Sequence, residues 1–225
     1  MDLDTFLAEL AAWAEERDPG FETVVYGDHP DQVADVRRGG ARNAIVVHGG
    51  FWRPAFTRAN TRALAVELAL TGWTTWNVEY RRTGLADTLA DVSAALDVTG
   101  PGVAVGHSAG GHLVLWAAGT GKIDKAVSLA GVSDLARGAR EGIGSDAVVE
   151  FAGSDPPAHA DPMRRLPLTI PVLLAHGTED DRVPFDYSRS FAAASGAELM
   201  TLPGAGHFEV IDPRTPEWAL IAAEL

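Results

Sequence analysis

Apolar and polar positions alternate in blocks along this 225-residue chain. Leu3, Phe6, Leu7, Leu10, Ala11 and Ala14 recur three and four residues apart, the spacing that gathers side chains on one face of a helix. Asp18-Pro19-Gly20 ends that pattern, because proline cannot continue a helix. This first helix is expected to pack on the surface of the domain. Two short β-rich pieces follow at 22–26 and 32–36. Ala44-Ile45-Val46-Val47 is apolar without alternation, as a strand covered on both faces should be. Beyond it the pattern reads helix 61–70, strand 74–79, helix 86–96, strand 103–105, helix 112–118, strands 126–129 and 172–175, helix 186–194, strand 198–201 and a closing helix 216–224. Such alternation predicts an α/β fold, a mostly parallel sheet of about eight strands with helices on both faces. Ligands of such sheets bind outside the carboxyl ends of the strands. Reactive residues should therefore follow strands.

Composition narrows the class of partner. Lys and Arg number 18 against 31 Asp and Glu, a formal net charge of −13, so nucleic acid or an anionic membrane would be repelled. There is no cysteine, which excludes disulfides, thiol chemistry and zinc-thiolate sites. No H-E-x-x-H run is present either, and no metal is expected. The chain starts acidic, Met1-Asp2-Leu3-Asp4, where a secretory leader would be basic, and no apolar run approaches the ~18 residues that span a bilayer. A cytoplasmic location is the expectation. No linker-like stretch divides the chain, so one domain over 1–225 is expected.

Four strand ends carry candidate chemistry. Gly106-His107-Ser108-Ala109-Gly110-Gly111 sits between the apolar stretches 102–105 and 113–116. A strand that ends in G-x-S-x-G and opens into a helix is a nucleophile elbow, with its serine exposed on a strained turn. His48-Gly49-Gly50-Phe51-Trp52 follows the strand at 44–47, and its glycines leave backbone N–H groups free to approach a substrate oxygen. With the N–H of Ala109, those of Gly50 and Phe51 would form an oxyanion hole. His48 is expected to brace this loop rather than act as a base. After 172–175 come His176-Gly177-Thr178-Glu179-Asp180-Asp181, where three acids compete to orient a histidine. Pro203-Gly204-Ala205-Gly206-His207-Phe208 follows the last strand and offers His207 as the general base for Ser108. His107, His112, His29 and His159 read as structural or loop residues.

Together these segments resemble the α/β-hydrolase superfamily from about Ala44 onward, with nucleophile, acid and base in its chain order. The H-G-G-x-W loop is similar to that of arylformamidases (kynurenine formamidases) and related small bacterial esterases, as is Asn77-Val78-Glu79-Tyr80-Arg81-Arg82. In the H-G-x-x-D-x-x-V-P run of many esterases the acid stands where Asp180 stands here, with Asp181 the alternative. The resemblance implies a Ser108-His207-Asp180 triad, a short cap at 132–167, and pocket walls that include Trp52, Phe151 and Phe208. Only Thr83-Gly84-Leu85-Ala86 follows Arg82, shorter than in many relatives, so one pocket wall is expected to be open. The implied activity needs no cofactor: a serine hydrolase acting on an ester or amide of a small molecule, carboxylesterase or arylformamidase-like. An acyltransferase or lyase on the same elbow is the alternative enzyme, and a small-ligand receptor that keeps only the fold is the non-catalytic one.

Overall fold

Ala44 and Val46 of one central strand point into one hydrophobic layer, and Ile45 and Val47 into the other. That period of two across a strand buried on both faces explains its continuous apolar run. The computed structural model describes residues 3–225; Met1 and Asp2, the first residues of the acidic start, lie outside them. Eight strands form one sheet: β1 (Glu22–Val25), β2 (Val33–Arg37), β3 (Arg42–Val47), β4 (Trp73–Val78), β5 (Val103–His107), β6 (Lys125–Leu129), β7 (Val172–Gly177) and β8 (Glu198–Leu202). Their order is β1-β2-β4-β3-β5-β6-β7-β8. β2 runs antiparallel to β1 and β4, and every pair from β4 to β8 is parallel. The carboxyl ends of six strands therefore share one edge.

Helices α1 (Leu3–Arg17), α2 (Arg62–Leu70) and α8 (Pro216–Ala222) cover one face, while α3 (Leu85–Thr99), α4 (Ala109–Ala117), α5 (Leu135–Glu141), α6 (Ile143–Ala152) and α7 (Asp186–Ser195) cover the other. Two boundaries differ instructively from the sequence pattern. β5 runs on to His107, and α4 begins at Ala109 rather than at 112. Gly110 and Gly111 are poor helix formers and hide the true start, which packing dictates. The first helix also does more than lie on the surface. Phe6, Leu10 and Ala14 are buried in the α2 layer, and Leu3 and Leu7 reach the carboxyl edge of the sheet, as described below.

Between β6 and β7 the chain forms α5, α6 and a 3-10 turn at Pro162–Arg165. Asp161 anchors this excursion: its carboxylate accepts from the backbone N–H groups of Leu135 and Ala136, both at 3.1 Å, and of Met163 at 3.2 Å. The first turn of α6 is left-handed at Gly144, Ser145 and Asp146. The missing side chain at Gly144 leaves room for the Phe51 ring.

Candidate active site

The chain reverses sharply after β5. Ser108 adopts φ 55° and ψ −117°, a strained conformation for a residue with a side chain. Its neighbours explain the pattern around it, because a Cβ on Gly106 would collide with the carbonyl oxygen of Gly110, and one on Gly110 with that of Val47. The turn is pinned where the Ser108 N–H donates to the Leu129 carbonyl at 2.8 Å. Amides in the first turn of α4, that of Ala109 among them, have no partner inside the helix.

The His48-Gly49-Gly50 loop comes directly against this turn. A Cβ on Gly49 would lie 2.8 Å from Ser108 Cβ, so glycine permits the approach. Gly50, Phe51 and Trp52 all have positive φ, 109°, 54° and 54°, and the surroundings must hold such a backbone in place. His48 does so, as expected: it is fully buried, stacked on Tyr80 at 4.3 Å, and its Nε2 is 2.8 Å from Glu79 Oε1. The Tyr80 hydroxyl donates to the His48 carbonyl at 2.8 Å. Glu79, at the end of β4, also accepts from Arg82 and from the backbone N–H of Arg58. Its part in bracing the loop is visible only in three dimensions, although it lies inside the Asn77–Arg82 run singled out above.

On the far side of Ser108, His207 Nδ1 lies 2.7 Å from Asp180 Oδ2. Asp180 is buried, and its Oδ1 accepts from the backbone N–H groups of Arg182 and Val183, both at 2.8 Å. Burial alone would raise this carboxyl, but the hydrogen bonds from His176 and His207 outweigh it and hold the group below the usual carboxylate range. Asp181, by contrast, points outward with its side chain 77% exposed and meets Arg182 at 3.3 Å. Of the three competing acids, the fold brings Asp180 alone to His207. His107 has a positioning contact of its own, since its Nε2 is 2.9 Å from the His207 carbonyl oxygen, an acceptor that requires the proton on that nitrogen.

Ser108, His107 and His207 share a cavity of about 450 Å³ with Gly49, Gly50 and Phe51. Its lining includes the apolar Leu3, Leu7, Phe56, Phe208 and Ile211 and the polar Arg53, Asn60, Asp181 and Arg182. Phe208, a wall residue implied by the resemblance, lines this cavity. Trp52 and Phe151 do not. They stack on each other at 4.4 Å and 5° with the His112 ring at their edge, both buried with Phe151 on α6, and they border a separate cavity of about 200 Å³ with Arg82, Thr83 and Gly84. Two large rings gain more area against each other than against a wet cavity. The short loop after Arg82 thus opens a neighbouring recess rather than the wall beside Ser108. Leu3 and Leu7 carried no sequence signal beyond helical spacing.

Two buried histidines predict how stability depends on pH. Burial, then the charge of His207, pushes His107 down to about 3, and burial pushes His112 down to about 4, from an ordinary 6.5. Both stay neutral in the fold while the unfolded chain takes up protons, so their contribution is complete above about pH 6.5 and is lost as pH falls toward those values. Each proton costs about 1.4 kcal/mol per pH unit in that window. Asp180, with its depressed carboxyl, works in the same direction at lower pH. Urea unfolding from about pH 7 to about pH 5 should show falling stability, and a flat profile would contradict the buried neutral rings.

Among the described residues no group of three or more His, Asp and Glu side chains is placed to hold a metal ion, and no helix is long and apolar enough to cross a membrane. A strained serine between a parallel strand and its helix, on a sheet of this order, defines the class: the protein is an α/β-hydrolase enzyme. Within that class the chain belongs to the prolyl oligopeptidase family, whose model matches residues 99–222. Solved structures with similar folds include a proposed thioesterase from Silicibacter sp. TM1040, 23% identical with a TM-score of 0.76 over 98% of this chain and 94% of that one. Esterase 2 of the planctomycete Thermogutta terrifontis is 24% identical with a TM-score of 0.70 over 92% and 89%. A truncated carbohydrate esterase from gut microbiota is 19% identical with a TM-score of 0.69 over 86% and 90%. No curated protein sequence matches the chain.

Proposed function

We propose that this α/β-hydrolase cleaves an ester or amide bond of a small molecule through Ser108, His207 and Asp180, as a carboxylesterase or an arylformamidase-like hydrolase. The observation that carries the reading is the 2.7 Å contact of His207 Nδ1 with the buried Asp180, His207 itself lining one cavity with the strained Ser108. His207 Nε2 takes the Ser108 proton as Oγ attacks the carbonyl carbon, and Asp180 steadies the imidazolium. The oxyanion is met by the N–H groups of Gly50, Phe51 and Ala109, each worth roughly 3 kcal/mol of barrier. His207 then passes its proton to the leaving oxygen or nitrogen, and the C–O or C–N bond breaks to leave an acyl-serine. Water attacks that ester with His207 again as base, the acid departs, and Ser108 regains its proton.

A cavity of about 450 Å³ suits a small ligand, and its apolar lining residues suit a short acyl group. Thermogutta terrifontis esterase 2, similar in fold, has been solved with propionate and with butyrate bound, and phosphonylated by sarin. In this reading 132–167 is the cap, with Gly144 and Ser145 at the cavity rim. A fluorophosphonate probe should label Ser108, and a panel of p-nitrophenyl esters and N-formyl aryl amines should find a substrate; no labelling and no turnover would refute the reading. Since Leu7 is one of the apolar lining residues, Leu7→Trp should lower kcat/KM for a butyrate ester roughly tenfold more than for an acetate ester. Equal losses on the two esters would remove α1 from the acyl wall.

A further inference from the structure

We infer that His176 is a positioning residue of this reaction, whose Nε2–H holds the Asp180 carboxylate in the orientation from which it receives His207. The inference rests on the triad reading above. His176 is fully buried near the end of β7. Its Nε2 lies 2.9 Å from the Val183 carbonyl oxygen and 3.1 Å from Asp180 Oδ2. Val183 O can only accept, so Nε2 carries a proton and shares it with the carboxylate. The other ring nitrogen, Nδ1, is 2.7 Å from the Ser188 hydroxyl on α7, and the edge of the Phe185 ring completes the enclosure at 5.8 Å and 88°. The imidazole is therefore fixed at both nitrogens before any substrate arrives.

The consequence lies in the carboxylate. Its four acceptor sites meet four donors: the N–H groups of Arg182 and Val183 at Oδ1, and His207 Nδ1–H and His176 Nε2–H at Oδ2. The two amides secure one oxygen. His176 secures the other, so that the plane of the carboxylate cannot swing away from His207, and it spreads part of the Oδ2 charge that His207 would otherwise meet alone. Without that donor, Oδ2 becomes a buried acceptor with a single partner, free to tilt and more attractive to a proton on His207.

Two amide substitutions separate this role from a purely structural one. In His176→Gln the side-chain amide reaches the place of Nε2, whereas in His176→Asn it reaches only the place of Nδ1, keeping Ser188 and losing Asp180. With active sites counted by fluorophosphonate titration, His176→Asn should lose kcat by roughly 10- to 100-fold with KM little changed, the usual effect of outer hydrogen bonds that orient a reacting group. His176→Gln should retain most of the activity. The acid limb of kcat/KM, which reports protonation of His207 in the free enzyme, should move to higher pH in His176→Asn only. Equal kcat and an unmoved limb in the two variants would overturn the inference, as would an Nδ1–H tautomer for His176 in nitrogen-15 NMR of the wild-type protein, a measurement that does not depend on either variant folding. A wild-type protein that the probe does not label would instead bring down the triad reading itself.

Discussion

Ser108→Ala should abolish hydrolysis of a short p-nitrophenyl ester, lowering kcat by roughly 10⁴- to 10⁶-fold, the range for removing the nucleophile of a serine triad. The fold should survive. Alanine keeps the Cβ that the elbow already accommodates at φ 55°, and the backbone hydrogen bonds of Ser108 to Leu129 and His112 do not use the hydroxyl. Ala109 and the Gly49–Phe51 loop stay in place, so residual turnover should come from the oxyanion donors and binding alone. The measurement is kcat alongside thermal unfolding: activity lost with the transition unchanged fits the mechanism, and activity retained in a folded variant would remove Ser108 from it.

Asp180→Asn should cost about 10⁴-fold in kcat, as amide replacement of a triad acid does elsewhere, while Asp181→Asn should stay within about twofold, as expected of an exposed ion pair. Geometry dictates the size of the first effect. The N–H groups of Arg182 and Val183 both need an acceptor, so the new amide keeps its oxygen there. Its NH₂ then stands at the Oδ2 position, facing His207 Nδ1 and His176 Nε2. Two donors cannot pair, and His207 is driven to the tautomer that carries its proton on Nε2, the nitrogen that must accept from Ser108. Steady-state kinetics of the two variants on one ester decides the matter. A larger loss from Asp181→Asn would mean the wrong carboxylate has been assigned.

Much of this architecture is legible in the sequence, for local reasons. β3 and β7 carry the unbroken apolar runs 44–47 and 172–175, and each run is followed by a glycine-containing break, so their carboxyl ends could be marked on the chain. Gly106, Ser108 and Gly110 announce a turn that few other residue sets could make. Other features were not legible because no local pattern encodes them. Gly110 and Gly111 disguised the start of α4, whose position is set by packing against β5 and β6. Trp52 and Phe151, 99 positions apart in the chain, were expected beside the substrate and are found stacked on each other instead. For the acid, the resemblance pointed to Asp180 with Asp181 as the alternative, and the turn after β7 buries the first and exposes the second.

The sequence by itself determined the fold class, the parallel sheet and the strand ends on which reactive residues lie, because hydrophobic period and turn chemistry act over a few residues at a time. Tertiary structure decided what those residues meet. It brought α1 to the cavity of Ser108, set Glu79 beneath the glycine loop, and placed His176 on the carboxylate that faces His207. The first two join residues tens of positions apart and the third closes the turn after β7, and all exist only once burial in the assembled layers has removed water as the competing partner.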